Sequence, residues 1–107
     1  MIVVTTSEVS DMRIVRTLGL VRGNTIRARH LGKDVLALLR NVAGGEIHEY
    51  TKMLAEAREQ AIHRLLEEAE ALGANAVVGL RFQTSMIQAG AAEMLCYGTA
   101  VVIESID

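Results

Sequence analysis

One cysteine and three histidines are the side chains best suited to bind a soft metal ion in this 107-residue chain. Cys96 lies in an apolar run beside Met94, whose sulfur is also a soft ligand. His63 lies four residues from both Glu59 and Glu67, so a helix would place all three in one column able to bind a metal weakly. Both features also have a structural interpretation, as a small buried strand residue and a solvated, salt-linked helix face. A closed four-ligand site within one subunit, or a resident cofactor, is not expected.

Arg58 is the charged residue whose position is hardest to explain. On a helical projection it falls within an apolar arc, close to Leu54 and Leu65. We therefore predict a buried guanidinium that is paired with backbone carbonyls or with a carboxylate, from its own subunit or a neighbouring one. The alternative is an aliphatic stem on the core with the charged end in solvent. Arg58, Tyr50 and Glu59 are the candidate ligand-binding or interface residues.

No arrangement of residues for catalysis is found in the sequence. Gly19 and Gly23 lie near a predicted strand but do not open a helix, so they match neither a P-loop nor a dinucleotide-binding motif. Arg58 and Glu59 are adjacent and would project about 100° apart on a helix, so they cannot serve one site within a subunit without distortion. We expect no catalytic residues and a protein that is not an enzyme.

These side chains are positioned by a predicted alternation of strands, helices and strands, which is typical of an α+β domain. The whole chain, residues 1–107, is expected to form one such domain with a mainly antiparallel sheet, one short helix and one long helix. The predicted amino-terminal elements are a short strand over 2–6 and a long or bent strand over 12–29, in which a glycine permits a bulge. Two helices follow, a short one over 31–43 that ends at Gly44-Gly45 and a long amphipathic one over 46–72 that ends at Gly73. The last two strands, over 75–88 and 92–105, are predicted to form an antiparallel hairpin.

The last predicted strand is apolar on both faces. One face carries Cys96 and Ala100, and the other carries Leu95, Val101 and Ile103. A strand with two apolar faces is covered on both sides. We expect the helices to cover one face and a neighbouring subunit to cover the other.

The composition favours a soluble cytoplasmic protein with an aliphatic core. Half of the residues are hydrophobic and only three are aromatic. The amino terminus lacks the features of a signal peptide, and no uncharged stretch approaches the ~20 residues that span a bilayer. Residues 1–40 carry a net charge of +4 and residues 41–107 carry −6. Because the basic half has no aromatic residue to stack on a base, the charge division indicates attraction between the two halves rather than nucleic-acid binding.

Taken in order, several short motifs of this chain resemble the YbjQ-like family of small bacterial and archaeal proteins. The matching residues are Thr5-Thr6, Gly19-x-Val21-x-Gly23, Arg40, Gly44-Gly45, Tyr50, Leu54, Ala57-Arg58-Glu59, the run from Leu72 to Gly79, and Gly98-Thr99-Ala100-Val101. The resemblance implies an α+β fold that assembles as a ring-shaped homopentamer, in a family labelled as heavy-metal-binding. A symmetric metal site on a ring axis, with one residue from each subunit, would be compatible with that label.

Three functions are compatible with these observations. The leading hypothesis is a non-enzymatic, ring-forming homo-oligomer that binds a small ligand or acts as a scaffold, with no nucleic-acid or membrane partner. The alternative is a heavy-metal-binding protein that uses Cys96 or His63 at subunit contacts. A weaker alternative is an enzyme whose site is shared between subunits and includes Arg58, Glu59 and Tyr50.

Overall fold

The computed structural model describes residues 1–28, 48–88 and 91–107. Its elements are β1 (Ile2–Val3), β2 (Met12–Ala28), α1 (His48–Ala71), β3 (Ala76–Gln88) and β4 (Ala91–Ser105). The long strand, the long helix and the two carboxyl-terminal strands confirm the sequence prediction within a few residues, and the first strand is shorter than predicted. The predicted short helix over 31–43, Gly44-Gly45 and the turn residues 89 and 90 lie outside the described residues.

The four strands form one sheet in the order β1-β3-β4-β2. The predicted hairpin is confirmed, since β3 and β4 pair antiparallel, and β4 also pairs antiparallel with β2. β1 pairs in parallel with the start of β3, a contact that the sequence did not indicate. The sheet is therefore mixed but mainly antiparallel, and its most apolar strand, β4, occupies an interior position.

The predicted glycine bulge in β2 is present. The pairing of β2 with β4 shifts register twice, between Ile14 and Arg16 and between Thr17 and Gly19. Gly19 has a φ of 124°, a conformation that a residue with a Cβ rarely adopts. These irregularities interrupt the regular pairing of the 17-residue strand with β4.

Helix α1 packs on one face of the sheet through a stripe of small and aliphatic side chains. The stripe consists of Met53, Ala57, Ala61, Leu65 and Ala69, all buried. It faces buried residues of three strands, namely Val21 of β2, Val77 and Leu80 of β3, and Met94, Cys96 and Ala100 of β4. The alanines keep the helix close to the sheet, and this contact forms the main core of the chain.

Gly23 lies where α1 approaches β2 most closely. A Cβ at this position would lie 2.5 Å from the Leu65 amide nitrogen and closer still to the Ala61 carbonyl oxygen. Only a residue without a side chain permits this backbone-to-backbone approach.

The helix ends as predicted at Gly73, whose φ is 86°. The Gly73 N–H donates to the Glu70 carbonyl at 2.9 Å, and the Ala74 N–H donates to the Ala69 carbonyl at 3.1 Å. This pair of bonds satisfies carbonyls that the last turn of a helix leaves unpaired.

The second face of the sheet is only partly covered, and part of the cover comes from this chain itself. Val4, Val9 and Met12 pack on a buried cluster made of Ala76, Val78, Val101 and Ile103. This corrects the expectation that a neighbouring subunit alone would cover the second face. Beyond that cluster the face carries exposed apolar residues, since Leu20 is 64% and Ile26 is 59% exposed. We call this uncovered area, built from Leu20, Arg22, Ile26, Arg81, Leu95 and Tyr97, the open face.

The chain is long and thin. Its radius of gyration is 17.6 Å and its extents are 57 × 24 × 16 Å, whereas a compact domain of this length has a radius of about 13 Å. Its accessible surface is 6933 Å², against about 5,800 Å² for a compact monomer of 11.6 kDa. Over the described ranges, no helix is both apolar enough and long enough to cross a membrane.

Candidate functional site

Cys96, a predicted metal candidate, is fully buried between the sheet and α1. Burial raises the pKa of the Cys96 thiol above its ordinary value of 9.0, and a hydrogen bond with the Gly23 backbone opposes part of that rise. A protonated, inaccessible thiol is a poor nucleophile and a poor ligand. This placement agrees with the interpretation of Cys96 as a small buried strand residue.

His63, the other metal candidate, lies on the outer side of α1. Its Nε2 is 2.8 Å from Glu67 Oε1, and both side chains are well exposed. Cys96 faces the core on the opposite side of the helix, so the structure does not bring the two candidates together within one chain. No group of three histidine, cysteine or carboxylate side chains able to hold a metal occurs among the residues that the structure describes.

Arg58 is exposed in the single chain, so its own subunit does not bury the guanidinium, and burial by a neighbouring subunit stays a prediction. Arg58 is exposed because of the direction in which the buried stripe runs along α1. Its members are four residues apart, so each step advances about 40° beyond a full turn, and the stripe winds around the helix. A helical projection superposes all the turns of α1 and so places Arg58 beside Leu65, which is buried two turns further along. In the turn that contains Arg58, the residue buried against the sheet is Ala57. Arg58 therefore projects to the side of the contact.

Glu59 and Tyr50 share α1 with Arg58. Glu59 is exposed and makes no hydrogen bond or ion pair with the residues that the structure describes. Tyr50 belongs to the first turn of the helix, and its side chain lies outside the described part. The three candidates therefore do not form a described cluster.

A polar cluster between β2 and α1 was not predicted. Gln60 Oε1 accepts hydrogen bonds from Thr25 Oγ1 at 2.8 Å and from an Arg27 terminal nitrogen at 2.9 Å. Arg27 also lies 3.5 Å from a Glu56 carboxylate oxygen. Thr25 is the buried polar residue of the cluster, at 3% exposure. The cluster satisfies that hydroxyl and fixes the helix on the strand, so its role is structural.

A shallow groove lies where the turn after β1 meets the carboxyl terminus. It is lined by residues 6–12 and by Ile106. Asp11, in the turn, has a φ of 61°, which is unusual for a residue with a Cβ. The groove exposes hydroxyl and carboxylate groups, and every polar residue that lines it is exposed.

The open face combines arginine, tyrosine and aliphatic side chains. Arg22 of β2 and Arg81 of β3 both pair with Tyr97 of β4, so the three form one row across the sheet. One Arg81 nitrogen donates to the Thr5 and Leu80 carbonyls, each at 2.8 Å. Arg22 makes no hydrogen bond or ion pair within the described ranges. The alternation along each strand could have indicated this row, but the pairing of β2 with β4 could not be read from sequence.

The fold and these surfaces define a class of small α+β protein, in which one long helix covers one face of a four-stranded sheet. Residues 1–104 match the model of the YbjQ family, which is described as "Putative heavy-metal-binding". The chain belongs to this family, as its motifs indicated.

Relatives of similar length are found in archaea and bacteria. A UPF0145 protein of Methanosarcina acetivorans is 59% identical over 103 residues, covering 96% of this chain and 97% of the relative. A UPF0145 protein of Dehalococcoides mccartyi is 54% identical over 104 residues, covering 97% and 100%. A crystal structure of a DUF74-family protein of unknown function from Pediococcus pentosaceus superposes with a TM-score of 0.63 at 15% identity, covering 97% of this chain and 98% of that one. This likeness confirms the fold.

Proposed function

We propose that this chain is a subunit of a cytoplasmic, ring-forming homo-oligomer that acts as a non-enzymatic binding or scaffold protein. The observation that carries the proposal is the shape of the single chain. Its accessible surface exceeds that of a compact monomer by about 1,100 Å². A standard protein interface buries about 800 Å² on each partner, so the excess is large enough to be the surface that neighbouring subunits cover.

The candidate residues support a role without catalysis. The buried thiol of Cys96, the exposed guanidinium of Arg58 and the exposed carboxylate of Glu59 lie on different sides of α1 or the sheet. A catalytic site needs a nucleophile or an acid and base within hydrogen-bond reach of a common substrate atom. These candidates provide no such convergence within one chain.

Native mass spectrometry of protein purified without added metal or chelator tests the proposal directly. We expect a single closed oligomer, a pentamer by the family resemblance, and any ligand that copurifies would add its mass to the same spectrum. Sedimentation at micromolar concentration should give the same subunit number. A stable monomer in both measurements would overturn the proposal.

A heavy-metal-binding function is the second candidate, because the matching family carries that description. The described ligands favour weak binding at exposed side chains, since His63 and Glu67 offer two donors and Cys96 is buried. We expect titration calorimetry with Zn²⁺ or Cu²⁺ to give weak heat without defined stoichiometry. Tight binding of one metal per subunit, lost in Cys96→Ser or His63→Ala, would establish the metal function instead.

A further inference from the structure

The open face carries positive charge around an apolar centre. Arg22 and Arg81 flank Tyr97, and both arginines are exposed. The acidic group of β4 on this side, Glu93, accepts a hydrogen bond from Asn24 Nδ2 at 3.4 Å. The Arg22 guanidinium is left without a partner among the described residues, on a face whose apolar residues are exposed.

The outer side of α1 carries the opposite charge. Glu59, Glu67 and Glu70 project there, away from the sheet, and all are exposed. Exposed Lys52 and His63 lie on the same side, and His63 Nε2 is 2.8 Å from Glu67 Oε1, so the side is acidic in net charge. Glu59 and Glu67 are two turns apart, about 12 Å along the helix. Arg22 and Arg81 are two strand spacings apart, about 10 Å across the sheet. The two surfaces therefore match in charge and in the separation of their charged groups.

The charge distribution also distinguishes between two ways of covering the open face. A two-fold contact of open face with open face would bring Arg22 and Arg81 close to the same arginines of the partner, which is repulsive. A contact between the open face of one copy and the helix of the next is attractive. It uses two different surfaces of the chain, so it repeats from copy to copy and gives a ring when the rotation between neighbours closes.

We propose that the open face of one subunit binds the acidic outer side of α1 of the next subunit. In this contact Arg22 and Arg81 lie against Glu59 and Glu67, while Leu20, Leu95 and Tyr97 lose contact with water. The partner is thus a second copy of the same chain, which deepens the proposed function and rests on it.

Charge reversal tests this contact. Arg22→Glu and Glu59→Arg should each raise the subunit dissociation constant about tenfold or more, as measured by sedimentation over a concentration series. The chain carrying both changes should recover most of the loss, since the two charges are exchanged rather than removed. High salt should weaken assembly of the original chain.

Arg16→Glu is the matched control. Arg16 lies on the same strand and is exposed, but it pairs with Val102 and so belongs to the other face of the sheet. Far-UV circular dichroism reports whether each variant keeps its fold. Two results would overturn this contact and leave the proposed oligomer intact. In the first, Arg22→Glu weakens assembly no more than Arg16→Glu does. In the second, the chain with both Arg22→Glu and Glu59→Arg loses the sum of the two single affinity losses. A monomeric original chain would overturn the proposed function itself.

Discussion

Cys96 shows at the scale of one residue how the fold determines reactivity. It pairs with Gly23 on β2, and the absence of a side chain there lets the helix backbone close over that part of the sheet. The thiol is thereby removed from water, and desolvation is the main cause of its raised pKa.

This pKa shift predicts how stability depends on pH. In the unfolded chain the thiol ionises as the pH rises through about 9, whereas in the folded chain it stays protonated to higher pH. The contribution of the Cys96 thiol to the free energy of unfolding should therefore be fully present below pH 9. Above pH 9 the free energy of unfolding should decrease, by at most about 1.4 kcal/mol per pH unit from this group.

Urea unfolding at pH 8 and pH 10 measures this contribution. Cys96→Ala is the control, because it lacks the thiol and should show a smaller loss between the two pH values. An equal loss in both proteins would mean that the thiol contributes nothing.

Arg58 gives a second prediction for a single residue. Because its guanidinium is exposed and lies to the side of the helix contact, Arg58→Ala should change the free energy of unfolding by about 0.5 kcal/mol or less. Arg58→Lys should behave in the same way. Urea melts at matched subunit concentration measure both, and a loss of roughly 3 kcal/mol in both variants would show that assembly buries this residue.

At the scale of elements, the contact of α1 with β2 depends on one glycine. In Gly23→Ala the new methyl group meets the backbone of two helical residues, which cannot move independently. We expect a loss of about 3 kcal/mol in the free energy of unfolding, the upper part of the range for over-packing.

The adjacent Asn24→Ala is the comparison for Gly23→Ala, since the Asn24 side chain is exposed on the same strand. It should cost about 0.5 kcal/mol or less in the same urea melts. Similar losses in the two variants would mean that the helix can move away from the strand at little cost.

Local patterns were sufficient to predict most elements, but not how they pack. Uninterrupted helix formers and the C-terminal Gly73 defined α1, and glycine in a long β-branched run indicated the bulge near Gly19. The parallel pairing of β1 with β3 depends on contacts between distant parts of the chain, which periodicity does not report. The exposure of Arg58 within its own chain was missed for a related reason, because the direction of the buried stripe is set by the sheet beneath the helix. The Thr25–Gln60 hydrogen bond likewise joins residues 35 positions apart.

At the scale of the whole molecule, the proposed assembly predicts that each chain gains stability from its neighbours. Assembly that stabilises only the folded state makes the melting temperature depend on concentration. For a closed pentamer, a tenfold increase in subunit concentration should raise Tm by roughly 5 °C. Differential scanning calorimetry at two concentrations measures the shift, and a constant Tm would argue for a folded monomer.

The position of β2 at the edge of the sheet has a consequence for solubility. An edge strand of 17 residues presents a long row of backbone groups that other chains can use as a template for aggregation. Two features of β2 oppose this. Its two register shifts interrupt the flat row, and Arg13, Arg16, Arg22 and Arg27 repeat positive charge along it, so that two such edges repel each other. Arginines that contribute to the positive charge of the amino-terminal half are therefore also expected to oppose edge-to-edge aggregation of this strand.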